Sequence, residues 1–186
     1  MTIGSPVVHD RPIHLAEYDP SWPVLFSREA ARIRAVLGRT AIKVEHVGST
    51  SVPGLAAKPV IDIVLTVPDS SDEAAFVPAL EAAGYVLRIR EPAWFEHRLF
   101  KGPDTNVQVH VFTDGSPEVE RMERFRDHLR VDQGDRELYE RTKRELAART
   151  WHYVQHYANA KSDVVADIMS RAERTASQTS QRHQSG

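Results

Sequence analysis

Residues 45–62 read Glu45-His46-Val47-Gly48-Ser49-Thr50-Ser51-Val52-Pro53-Gly54-Leu55-Ala56-Ala57-Lys58-Pro59-Val60-Ile61-Asp62. A β-branched run stops at Gly48, a hydroxyl cluster follows, and after a Pro-Gly turn and a lysine a second β-branched run opens with an acid inside it. The pattern predicts two strands, Ile42–Val47 and Val60–Val67, joined by a polar loop. The loop has the composition of a phosphate site. Gly48 lets backbone approach a ligand, Ser49, Thr50 and Ser51 offer hydroxyl donors, and Lys58 offers a mobile positive charge. Backbone amides at such a turn add a concave donor surface. The G-x-x-x-x-G-K-[ST] pattern of a Walker loop is absent. The loop taken alone reads equally well as a plain turn between strands. Asp62 tips the balance, because a carboxylate inside an apolar strand is costly unless a cation, a metal or hydrogen-bond donors meet it.

Outward from this segment, β-branched runs predict further strands at Tyr85–Arg90, Trp94–Phe100 and Val107–Phe112, the last alternating with Gln108 and His110 on one face. Helical periodicity follows Asp19-Pro20-Ser21, with Trp22, Leu25, Phe26, Ile33, Val36 and Leu37 on one face and Gly38 as a stop. Further helices are expected from Ser71 to about Gly84, after Ser116-Pro117, after Gly134, and from Val154 to Met169. Strands cluster in the middle and helices dominate after residue 116. The expected class is α+β: a mixed β-sheet core with flanking helices and a helical C-terminal half.

The chain has 186 residues, a formal net charge of -2 and no cysteine. Its length fits one domain. Bulk charge gives no sign of a nucleic-acid binder, and the missing cysteine excludes disulfides, thiolate catalysis and thiolate metal sites. No apolar run reaches a membrane span, and the N-terminus lacks the pattern of a secretory signal, so no membrane partner and a cytoplasmic location are expected. Residues 1–12 read as a flexible arm, 13–173 as the single domain, and 174–186 as a disordered tail with too little apolar surface to order it. The segment 116–149 carries nine basic and nine acidic residues. It reads as a solvated helix pair laced with salt bridges, or as a source of a few inward cations such as Arg126 and Lys143.

The long segment is similar to the GrpB family of small bacterial proteins, whose signature E-H-[IV]-G-S-T-S-[IV]-P-G-L-x-x-K-P-[IV]-[IV]-D-[IV] it matches through Asp62. The similarity extends to Tyr18 through Pro23, to Val107-Gln108-Val109-His110-Val111 (Gln108 standing where Asn is expected), and to Phe125-Arg126-Asp127-His128-Leu129-Arg130. It continues in Tyr139 through Leu146 and in Tyr157 through Lys161. This resemblance implies the nucleotidyltransferase fold shared with the catalytic domain of DNA polymerase beta. There a G-S turn precedes a D-x-[DE] strand, a third carboxylate lies on a later strand, and two metal ions clamp a phosphoryl transfer. It also implies a link to nucleotide or coenzyme metabolism, since family members occur fused to dephospho-coenzyme A kinase. This chain departs from the carboxylate set: Val64 stands two residues beyond Asp62, and the later strand offers Gln108 and His110.

The residues then give a candidate site. Asp62 and His110 are the catalytic candidates. Asp62, His110 and His46 are the metal candidates, with Mg²⁺ or Mn²⁺ expected if the protein is an enzyme. Gly48, Ser49, Thr50, Ser51, Lys58, Arg98, Arg126 and Lys143 are the nucleotide- or phosphate-binding candidates. His46 reads more readily as a brace for the loop than as a ligand. Arg98 reads equally as a phosphate contact or an edge charge, and the pair His152 and His156 reads as surface. The leading expectation is transfer of a nucleotidyl group from a nucleoside triphosphate to a small acceptor. The second is a degenerate module that binds a nucleotide or phosphorylated metabolite without chemistry, and the third is a metal-dependent hydrolase using His46, Asp62 and His110.

Overall fold

The computed structural model describes residues 13–149 and 159–184. The N-terminal arm, His152 and His156 lie outside them. Among the described residues five strands form one sheet: β1 (Lys43–Val47), β2 (Ile61–Val67), β3 (Val86–Glu91), β4 (His97–Lys101) and β5 (Val107–Thr113), in the order β1-β2-β5-β4-β3. β2 and β5 run parallel, and every other pairing is antiparallel. The helices are α1 (Trp22–Leu37), α2 (Val77–Ala82), α3 (Pro117–Val131), α4 (Gln133–Ala147) and α5 (Ser162–Gln184). The α+β class, with a mixed sheet and a helical second half, is as expected.

The period-two alternation of β2 sorts the molecule into two layers. Ile61, Ile63, Leu65 and Val67 point to one face with Val107, Val109 and Val111, where α1 and α2 bury them under Trp22, Ile33, Leu37 and Leu80. Each such side chain stabilises the fold by about 1.5–3 kcal/mol. Asp62 and Val64 point to the other face, at the level of Gln108 and His110. On that face Val47, Val64 and Phe112 pack against Val119 and Met122 of α3. α3, α4 and α5 build a second core from Leu129, Tyr139 and Ile168, closed by Val52 and Leu55 of the polar loop. That loop therefore sits between sheet and helices.

Several boundaries move for physical reasons. The helix expected from Ser71 splits into a 3₁₀ turn, Glu73–Ala75, and the short α2. Pro78 cannot sit in a helix interior, so the helix restarts with it in the first turn. Trp94 belongs to the β3–β4 turn, where Phe95 and Glu96 adopt φ of +51°, and β4 begins only at His97. α4 starts before Gly134, because the Asp132 side chain accepts from the Asp135 amide at 2.8 Å and caps it. The last helix is assigned through Gln184, within the segment 174–186 that reads as a disordered tail from sequence. The stretch lacks apolar anchors, yet it holds no Gly or Pro before Gly186, so nothing local stops a helix already packed at Ile168, Met169 and Ala172. Among the described residues, no helix is long and apolar enough to cross a membrane.

Candidate functional site

Gly48 ends β1 with φ +70° and ψ −177°, a conformation open essentially to glycine alone. The residue must be glycine for a second reason: a Cβ there would meet Asp62 Oδ2 at 2.5 Å. The turn Ser49–Ser51 that follows is wired inward. Ser51 donates to the Gly48 carbonyl at 2.6 Å, and buried Thr50 donates to the Val60 carbonyl at 2.9 Å. Since the Thr50 hydroxyl spends its proton there, it accepts from His46 Nε2 at 3.1 Å. Of the three hydroxyls, that of Ser49 lies beside the Tyr139 phenol, and burial pushes this phenol up to about 12.

On the far side of Gly48 lies a cavity of about 730 Å³. Its floor is sheet: Val47, Gly48, Asp62, Gln108 and His110. Its walls are Met122 and Phe125 of α3, Tyr139 of α4, and Lys161 with Val165 and Met169 at α5; Arg121 and Glu173 also line it. Asp62 Oδ1 and His110 Nε2 face each other at 3.8 Å on this floor. His110 Nδ1 meets His97 Nε2 at 3.1 Å, and His97 Nδ1 meets Glu91 Oε2 at 2.7 Å. The two imidazoles are stacked, 5.2 Å apart and 20° from parallel, and Phe112 and Trp94 enclose His97. Burial holds His97 down to about 4, with His110 adding to the effect and Glu91 opposing it. Burial likewise lowers Lys58 and Lys161, and in both cases the Asp62 charge opposes it.

The structure brings together Gly48, Ser49, Asp62 and His110, with Lys58 near enough to feel the Asp62 charge. It does not bring in the others. His46 pairs with Ile63 across β1 and β2, so its ring lies on the face opposite Asp62. There it stacks on Phe26 at 4.9 Å, and burial lowers it to about 4, which makes it a neutral brace and not a partner of Asp62 and His110. Thr50 and Ser51 hold the turn and do not present their hydroxyls to the cavity. Arg98 also points to the opposite face, where it donates to Glu73 Oε1 at 2.6 Å. Arg126 is committed to Glu45, to Asp127 and to the His46 carbonyl. Lys143 is buried over the Tyr139 ring and donates to the Ala56 carbonyl at 2.5 Å; burial, reinforced by Lys161, lowers it to about 7. Arg126 fastens α3 to β1 and Lys143 fastens α4 to the loop, and neither lines the cavity.

Sequence reasoning missed His97, Glu91 and Lys161. Lys161 sits in a quoted motif but carried no assigned role. His97 gave no sign of its position, since its pairing with His110 depends on the β4–β5 register. The described residues crowd three potential metal ligands elsewhere, at His128, Asp132 and Asp135. Arg171 and His128 both hold Asp135 there and Asp132 caps α4, so the cluster is a clasp between helices.

A family model described as GrpB protein matches residues 12–171. UPF0157 protein BH1888 of Halalkalibacterium halodurans is 61% identical over 94% of this chain and 90% of its own length. A dephospho-CoA kinase of Mycolicibacterium paratuberculosis is 30% identical over 87% of this chain but only 46% of that protein. The crystal structure of conserved protein GrpB from Enterococcus faecalis is similar with a TM-score of 0.77 at 29% identity, covering 88% of this chain and 99% of that one.

Proposed function

Because this chain belongs to the GrpB family, we propose that its cavity binds a nucleoside triphosphate and transfers the nucleotidyl group to a small acceptor, with pyrophosphate as the leaving group. One observation carries the reading: a carboxylate oxygen and an imidazole nitrogen face each other at 3.8 Å beside a glycine that cannot bear a Cβ, on the floor of a cavity large enough for such a ligand. Ser49 and the backbone at Gly48 would contact phosphate, and Lys58 and Lys161 would neutralise it. The apolar wall of Met122, Phe125 and Val165 suits a base or another flat apolar group.

The donor set fits one divalent ion shared with the ligand. The 3.8 Å gap is short enough for a single ion to touch both atoms, given metal–ligand distances of about 2.0–2.2 Å. Asp62 and His110 would hold it, and it would supply positive charge to the phosphate oxygens. Val64, fully buried, offers no second carboxylate, so phosphate must complete the coordination. One carboxylate with one imidazole favours Mn²⁺ over Mg²⁺. Without the ion, His110 Nε2 would serve as the general base for an acceptor hydroxyl. The two lysines around Asp62 favour a second reading, in which the pocket binds the anion with no metal and does no chemistry.

Calorimetric titration of ATP, GTP, CTP, UTP and dephospho-CoA, with and without Mg²⁺ or Mn²⁺, on wild type and Asp62→Asn separates the readings. Metal-dependent binding that vanishes in the variant is the expected result. Metal-independent binding that survives establishes the second reading. No binding of any of them overturns both.

A further inference from the structure

We propose that the Gln108 amide and the Lys101 ammonium form a separate anion subsite, on the side of Asp62 away from the glycine loop, and that it receives an acceptor carrying a phosphate or carboxylate group. The sheet register sets the two sides. Val47 pairs with Asp62, Asp62 with Gln108, and Gln108 with Lys101, so these residues of β1, β2, β5 and β4 form one row on one face of the sheet. Neighbouring strands lie about 4.8 Å apart, so Lys101 starts roughly 10 Å beyond Asp62 and roughly 14 Å from the strand that delivers Gly48. The Asp62 carboxylate stands between the loop and Gln108. A single anion reaching from Ser49 to Lys101 would have to pass over it, whereas two anions, one on each side, would not.

Uncommitted polar groups mark the same place. Arg98, Arg121, Arg126, Arg130 and Lys143 are each bound to a carboxylate or a backbone carbonyl. Among the described residues Lys101 forms no ion pair, and neither Lys101 nor Gln108 makes a side-chain hydrogen bond. Gln108 nevertheless lines the cavity, half-buried on its floor. Its amide offers two donors there, and a lysine beside it adds charge, which together suit an oxyanion. The subsite adjoins the phosphate side: Lys58, lowered first by burial, also feels the Lys101 charge. His110 follows Gln108 by two residues on the same face, with Leu99 of β4 beside it. An acceptor anchored at Lys101 and Gln108 therefore carries its hydroxyl toward His110 and Asp62. Val86, next in the row after Lys101, is 48% exposed, so the row opens to solvent at that end and leaves the acceptor a way in. That the anion belongs to an acceptor rests on the function proposed above; the subsite itself does not.

Two-dimensional ¹H–¹⁵N spectra of the ¹⁵N-labelled full chain test this, with the Gln108 side-chain amide pair identified by its loss in Gln108→Leu. Glycerol phosphate and glycerate, which carry an anionic group beside a hydroxyl, should shift that pair saturably, and uncharged glycerol should not. The tighter of the two anions identifies the group as phosphate or carboxylate. Lys101→Gln, a change at an exposed position, should weaken both about tenfold or more, and Lys101→Arg should restore them. Pyrophosphate with Mg²⁺, titrated by calorimetry to stand for the donor's phosphates, should bind Lys101→Gln as it binds the wild type. It should lose affinity in Lys58→Gln, which leaves the glycerol phosphate shift in place. A Gln108 pair that neither anion moves overturns the proposal, as does unchanged binding of both anions in Lys101→Gln. Equal losses of pyrophosphate and glycerol phosphate in Lys101→Gln also overturn it, by giving Lys101 to the donor. Absence of nucleotide and pyrophosphate binding, with the glycerol phosphate shift intact, would sink the function proposed above and leave the subsite standing.

Discussion

Two residues on the loop make opposite demands on their surroundings. Gly48 is required both by its backbone angles and by the carboxylate pressed against it, so Gly48→Ala should lower stability by about 1–3 kcal/mol. It should also displace Asp62 and abolish ligand binding, which urea denaturation and calorimetry would read separately. His46, by contrast, is held neutral. Its unfolded form takes a proton near the ordinary value of 6.5 and its folded form only near 4. The unfolded state therefore binds more protons in that window, and stability falls as pH drops from 6.5 to 4. The loss is on the order of 3 kcal/mol for this ring. His46→Phe, which preserves the stack on Phe26, should flatten the dependence of the urea midpoint on pH; an unchanged slope would contradict the assignment. Gly48 and Asp62 were legible in the sequence because each breaks a local rule, one by interrupting strand composition and the other by placing charge in an apolar run. The hydroxyls of Thr50 and Ser51 were not legible. A hydroxyl serves ligand or backbone with equal ease, and only the packing of the loop under α3 and α5 decides which.

Among elements, β2 and α5 carry the site jointly. β2 was legible as a strand, and its alternation already placed Asp62 opposite Ile61 and Ile63. The partner face was harder to read, because its partners on the parallel neighbour β5 are 46 residues away (Ile61 pairs with Val107) and pairing at that separation leaves no local mark. The same reason hid His97. Its strand was expected, but it comes beside His110 only through the β4–β5 register, in which Leu99 pairs with His110, and no local signal announces that pairing. α5 contributes Ile168, fully buried against Leu129 and Val52. Ile168→Ala should cost about 2–4 kcal/mol by transfer and cavity terms together. Because Val165 and Met169 flank it on the cavity wall, ligand affinity should fall as well, which a paired denaturation and titration would show.

In the whole molecule, sheet and helices share one loop and one cavity. The α+β class was legible from the order of elements alone, since local periodicity survives any tertiary arrangement. Where the cations of the helical half would point was not, and both Arg126 and Lys143 turned out to be fasteners. A shared cavity has a thermodynamic consequence: unfolding monitored by tryptophan fluorescence and by helical circular dichroism should coincide. A ligand at 100 times its dissociation constant should then raise the stability of both signals together by about 2.7 kcal/mol. Two separated transitions would show that the helical half melts on its own. The position of α5 in the chain also has a consequence in time. Every strand of the sheet is synthesised before Lys161, Val165 and Met169, which complete the cavity wall. A ribosome that stalls anywhere between residues 114 and 160 leaves a nascent chain that owns the whole sheet, Asp62 and His110 included, and yet has no room in which to hold a ligand. A chain that stops short of α5 is therefore expected to bind none of the ligands that the complete cavity takes, which titration of a chain ending at residue 160 would check.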